Sequence, residues 1–164
     1  MPPRRAQADA IVPSLLDRLL DDEPGATRES PPHRMDDVRA LKRSVARDLE
    51  MLLNTRQEAL SELPESLEEV RRSLVVYGLP DFTDASLMSP RDRMRIRRAL
   101  EDAIAVFEPR LERVRITVED PASHERAMRF RVEGWLRVEP TPAPVAFDTV
   151  LQLTTREYVV QGRD

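Results

Sequence analysis

Met128-Arg129-Phe130-Arg131-Val132-Glu133-Gly134-Trp135-Leu136-Arg137-Val138 changes character at every step. Met128, Phe130, Val132, Gly134, Leu136 and Val138 alternate with Arg129, Arg131, Glu133, Trp135 and Arg137, a period of two that fits a strand with one face in a core and the other in water. Just upstream, Val114, Ile116 and Val118 alternate in the same way with Arg115, Thr117 and Glu119. Two more strands fit Val145 to Thr154 and Glu157 to Gln161, with turns at Glu119 to Arg126 and Glu139 to Pro144. Before Arg110 the pattern is helical, so helices precede a meander of strands. That order predicts an α+β fold, with N-terminal helices packed on one face of a C-terminal antiparallel sheet.

The helical half is read from steps of three and four. Val38, Leu41, Val45, Leu49, Leu52 and Leu53 form one apolar stripe, while Arg39, Arg43 and Arg47 line another side as a like-charge row. The row is either a solvated face or a surface for an acidic partner. Glu65 to Tyr77 predicts a second helix with Leu67, Val70, Leu74 and Val75 inward, stopped by Gly78 and Pro80 in the turn Tyr77-Gly78-Leu79-Pro80. A third helix starts at Ser89, with Pro90 at its first position and Asp92 at N3. Ile96, Leu100, Ile104 and Phe107 form its inner stripe, and Pro109 ends it.

Residues 1–34 read differently from 35–164. Ser14 caps a short apolar run in which Leu15, Leu16, Leu19 and Leu20 share a helical face, with Arg18 beside them. The stretch from Asp21 to Pro32 holds too little apolar area to offset the entropy of ordering it, so it reads as linker. The leucine patch either docks on a partner or folds back onto the core of its own chain. The expected organisation is a docking segment with linker at 1–34 and a single α+β domain at 35–164.

Composition narrows the chemistry. With 164 residues the chain suits one domain plus a tail, and its lack of cysteine removes disulfides, thiolate catalysis and cysteine metal sites. The same lack fits a reducing compartment, so a cytosolic setting is expected; no apolar run approaches the ~20 residues of a membrane span, and Asp9, Pro13 and Asp17 interrupt any signal-like N-terminus. The 30 acidic residues outnumber the 26 basic ones, which argues against a nucleic-acid partner. His33 and His124 have no metal-ligand spacing, and four glycines cannot build a phosphate loop. No cofactor is expected.

Glu108 breaks a local rule. It falls at the C-terminal end of the third helix, where the dipole disfavours a carboxylate by ~0.3–1 kcal/mol. Arg110, just past Pro109, can fold back onto it as a charge-assisted pair, or both side chains can face solvent.

Three motifs occur in a fixed order. They are Arg47-Asp48-Leu49-Glu50-x-Leu52-Leu53-Asn54-Thr55-Arg56, then Tyr77-Gly78-Leu79-Pro80-Asp81-Phe82, then Glu108-Pro109-Arg110-Leu111 ahead of an alternating strand. In that order and spacing they resemble the baseplate wedge family shared by type VI secretion systems and contractile phage tails, a family long labelled lysozyme-like. Pro13-Ser14-Leu15-Leu16-Asp17-Arg18-Leu19 is similar to the opening segment of the type VI branch, whereas Val145 to Asp164 matches no part of the family pattern. The resemblance implies a small α+β domain similar to the C-terminal domain of sheath subunits, seated around the inner tube and offering the contractile sheath its first docking position. It gives Glu108, Pro109 and Arg110 a structural role at the helix–sheet junction and in assembly.

The expected function is a non-enzymatic scaffold that initiates sheath polymerisation, in cytoplasm and on a membrane-docked baseplate, without itself inserting into the membrane. Its expected partners are other baseplate wedge subunits and contractile sheath subunits, and strand addition at a free sheet edge is the expected mechanism. The alternative is a muramidase-like glycoside hydrolase, which needs two carboxylates across a sugar cleft. Trp135, Tyr77, Tyr158 and four phenylalanines leave little aromatic surface to line one.

Overall fold

The computed structural model describes residues 34–57, 66–82, 84–86, 88–119, 127–152 and 157–162. The leucine patch with Leu15, Leu16, Arg18 and Leu19 lies outside the described residues, as does the linker. The order is α1 (Arg34–Asn54), α2 (Glu68–Arg71), a 3-10 turn (Leu74–Val76), α3 (Pro90–Phe107), then β1 (Leu111–Val118), β2 (Ala127–Leu136), β3 (Ala143–Gln152) and β4 (Glu157–Gly162). The strands form one antiparallel sheet in the order β1-β2-β3-β4. This is the α+β arrangement expected from the change of period. Among the described residues no helix is long and apolar enough to cross a membrane.

The core forms where the stripe of α1 meets the inward face of the sheet. Leu41, Val45, Leu49, Leu52 and Leu53 of α1, and Ile96, Leu100 and Ile104 of α3, pack with Ile116, Met128, Phe130, Val132, Leu136, Phe147 and Val160. Phe130 meets Tyr158 edge-on, ring centroids 5.8 Å apart. Burial pushes the Tyr158 hydroxyl up to about 12. The opposite face of the sheet carries polar groups such as the cross-strand pair Arg131–Asp148, Nε to Oδ1 2.8 Å. Along α1, Arg39 and Arg43 are exposed and Arg47 turns onto Asp48.

Two departures from the sequence reading have physical causes. The second helix stops after one turn, because Ser73 is extended and its hydroxyl accepts from Val75 N–H, so the chain re-enters as a 3-10 turn with a shifted phase. Val76 is then buried, while Leu67, Leu74 and Val75, expected inward, face solvent, Leu74 at 82% exposure. The other departure lies in β1, where Arg113 has φ +53° and the register with β2 shifts between Glu112 and Arg115. Gly134 faces this bulge. A Cβ there would sit 3.1 Å from Glu112 O, so the missing side chain makes room for the displaced backbone.

One core hydroxyl lacks a partner. Thr149 is 1% exposed and its Oγ1 makes no hydrogen bond. Thr149→Val keeps the shape and removes the stranded dipole, so it is expected to raise stability by about 1 kcal/mol. A higher urea midpoint with unchanged slope would show it.

Candidate functional site: a closed ion cluster at the helix–sheet junction

Pro109 creates the junction. The residue before a proline is driven out of helical geometry, and Glu108 has φ −124° and ψ 72°. Its N–H still donates to Ile104 O at 2.9 Å, and its carbonyl accepts from Leu111 N–H at 3.0 Å, so one residue closes α3 and launches β1. The Glu108 side chain is buried there, at 4% exposure.

Arg110 does return to Glu108, and it does more. Its Nε donates to Glu108 Oε1 at 2.6 Å, its Nη2 donates to Glu108 Oε2, and its backbone N–H reaches Oε1 at 3.2 Å. The same Nη2 donates to Asp48 Oδ2 at 2.6 Å, and Nη1 donates to Ser44 Oγ at 3.1 Å, both on α1. The carbonyl of Arg110 accepts from Arg137 N–H at 2.9 Å. One guanidinium thus ties together α1, the end of α3 and the start of the sheet. Its hydrogen bond to Glu108, with Asp48 adding to it against the cost of burial, raises its pKa above the ordinary arginine value.

Tyr77 stands beside this cluster. Burial first, then the charges of Asp48 and Glu108, push its hydroxyl pKa up, and its ring meets Phe107 edge-on at 5.1 Å. The turn that carries Tyr77 is tied to the exit of α1. Leu79 N–H donates to Thr55 O at 2.8 Å and Gln57 N–H donates to Leu79 O at 2.7 Å, forming a parallel bridge between Arg56 and Leu79. Gly78 is at φ +110°, and Arg56 pairs with Asp81 just beyond Pro80.

Glu108, Pro109, Arg110 and Tyr77 therefore meet at one place, with Gly78, Leu79 and Pro80 alongside α1. The sequence reading carried Asp48 only within the first motif, without a partner, and did not single out Ser44. Their four-residue spacing puts them on one helical face, but nothing local identifies a partner so far along the chain. Glu50 and Asn54 were also missed as functional side chains. Asn54 Nδ2 donates to Tyr158 O and Asn54 Oδ1 accepts from Tyr158 N–H, both at 2.8 Å, and Glu50 Oε2 accepts from Val160 N–H at 3.0 Å. These two side chains take the place of a neighbouring strand along β4.

Among the described residues no three His, Asp or Glu stand close enough to hold a metal ion. The two carboxylates that do converge both bind the same guanidinium, an arrangement that fixes elements relative to one another. Fold and site together define a small structural domain with a braced helix–sheet junction. The model of the baseplate wedge protein gp25 family matches residues 39–141, more than half of the chain, and the chain belongs to that family. Its members are structural components of baseplates. Among solved structures, one chain of "The baseplate complex from the type VI secretion system" is similar at 23% identity and TM-score 0.47, over 70% of this chain and 96% of that one. No match is found among curated proteins.

Proposed function

We propose that this chain is the wedge subunit of a type VI secretion baseplate and that it docks the contractile sheath and starts its polymerisation by strand addition. The observation that carries the reading is a family member whose four-stranded sheet ends in two edge strands, β1 and β4, neither paired with a further strand among the described residues. Outward N–H and C=O groups of an edge strand can template an incoming strand, main-chain bonds giving affinity and alternate side chains giving register. In this reading the sheet plays the part of a sheath subunit's C-terminal domain, and the subunit works in the cytoplasm on a membrane-docked baseplate.

The cluster of Glu108, Arg110, Asp48 and Ser44 supports a scaffold rather than a glycoside hydrolase. A hydrolase needs one carboxyl kept protonated and a cleft between the pair, whereas Glu108 is buried and both carboxylates bind Arg110. The role of the Glu108-Pro109-Arg110 motif is to hold helix and sheet in the one orientation that a docking sheath subunit meets. Retention of purified sheath subunits by the immobilised full chain tests the docking directly. Retention is expected, and its absence contradicts the proposal.

Residues 1–34 form the docking segment toward neighbouring wedge subunits, through Leu15, Leu16, Arg18 and Leu19. Deleting residues 1–30 is expected to leave the melting temperature of the domain nearly unchanged and to abolish co-purification with those subunits. A large loss of stability would put the leucines in the domain's own core.

A further inference from the structure

The two edges of the sheet are unequal, and we infer that β1, not β4, is the edge that accepts the partner strand, and that the strand it takes is acidic. The inference rests on the strand-addition reading above and assigns its site. Along β4, the outward groups are those of Tyr158, Val160 and Gly162, and α1 has filled three of the six: both of Tyr158 by Asn54 and the N–H of Val160 by Glu50. An incoming strand would have to unseat α1 from the domain.

Along β1 the accounting differs. Glu119 N–H donates to Arg129 O, so in the antiparallel alternation Arg115 and Thr117 face β2, while Ile116 and Val118 turn their N–H and C=O groups outward. Among these four groups, one has a partner within the described residues: Ile116 N–H donates to Glu101 Oε1 of α3 at 3.1 Å. That carboxylate is a single side chain on a helix surface, and it can rotate away without disturbing the core. It occupies the edge in the free protein and yields to a strand.

The space beside the edge fits such a strand. A groove of about 610 Å³ runs between α3 and β1, walled by Arg93, Met94, Arg97 and Glu101 on one side and by Arg115 to Val118 on the other. Arg97 and Arg115 stand beside Glu101 in its lining, and Arg93 there already has a partner of its own. Arg97 Nε is buried and makes no hydrogen bond, its distance to Glu101 Oε1 being 4.0 Å. A donor stranded in this way is costly until an acceptor arrives, and a carboxylate on the incoming strand supplies one. Side chains of an added strand project alternately to the two faces of the sheet, so acidic residues at every second position would face α3, where Arg97 lies.

The test uses the full chain and an acetylated, amidated octapeptide of alternating glutamate and valine, with its lysine–valine counterpart, titrated at low salt. The acidic peptide is expected to bind and to shift the amide resonances of Ile116 and Val118, and the basic one is not. Val118→Pro removes an outward N–H that the fold does not use, so it should weaken binding roughly tenfold, whereas Gly162→Pro on β4 should not. Glu101→Ala, which vacates the edge and removes a repelling charge, should strengthen binding several-fold. Methylating every second peptide nitrogen repeats the edge test without altering the protein, and one of the two methylation registers should abolish binding. Binding lost in Gly162→Pro and kept in Val118→Pro would move the site to β4 and leave strand addition standing. Equal binding of both peptides would overturn the charge preference, and no binding by either wild type or Glu101→Ala would overturn the edge assignment. Strand addition itself fails separately, if cells carrying Val118→Pro and Gly162→Pro together still build sheaths.

Discussion

Arg110→Ala is expected to destabilise the domain by about 3 kcal/mol, because it leaves Glu108 buried without its counter-ion. The carboxylate would also sit at the negative end of α3 with nothing to offset the dipole. The figure lies at the low end for a broken buried pair, since Arg110 keeps 26% of its side chain exposed and water can enter the gap. Glu108→Ala strands the guanidinium less severely, because Asp48 Oδ2 still holds it. The double variant removes both charges, so its loss should fall short of the sum of the single losses by roughly 1–3 kcal/mol. Chemical denaturation of the four proteins measures that coupling. Additive losses would mean that the pair contributes no mutual stabilisation.

Gly78→Ala should cost as much or more. A Cβ at this position would stand 2.4 Å from Thr55 O and 2.9 Å from Thr55 C, both backbone atoms at the end of α1, and φ is +110°. Neither the clash nor the conformation can be relieved by rotating a side chain. Strain in this part of backbone space and overpacking each cost ~1–3 kcal/mol, which gives an expected loss of about 3–4 kcal/mol. The two bonds that join Leu79 to Thr55 and Gln57 should open together, seen as faster amide exchange at Leu79 than the global loss of stability accounts for. Wild-type stability in this variant would contradict the close approach of turn and helix.

Why Gly78 matters was only half visible in the sequence. Gly78 and Pro80 end a segment, as read, but the close approach to Thr55 depends on a second element. Strands were legible because alternation is local: Met128 to Val138 and Val114 to Val118 carry their burial pattern in their own residues, as do the stripes of α1 and α3. The 3-10 turn was not, since Leu67, Val70, Leu74 and Val75 are correctly spaced for a helix that Ser73 interrupts. At the site, Glu108 could be singled out because it violates the helix dipole within its own turn, and Arg110 lies two residues away. Asp48 meets Arg110 from 62 residues upstream, and Asn54 meets Tyr158 across 104. Such contacts are set by the packing of α1 on the sheet and leave no periodic trace. The bulge at Arg113 did leave one, a lone glycine within the alternating β2 run, which signals a close backbone approach.

The proposed docking role is tested most directly by imaging fluorescent sheath in cells that make the chain at normal abundance with Arg110→Ala or Glu108→Ala, beside cells lacking it and cells with the unaltered protein. Filaments are expected with the unaltered chain and absent from the other three strains, because sheath subunits meet no correctly oriented sheet on which to start. Normal filaments in cells lacking the chain would contradict the docking function, and normal filaments in both single variants would show that the braced junction has no part in it.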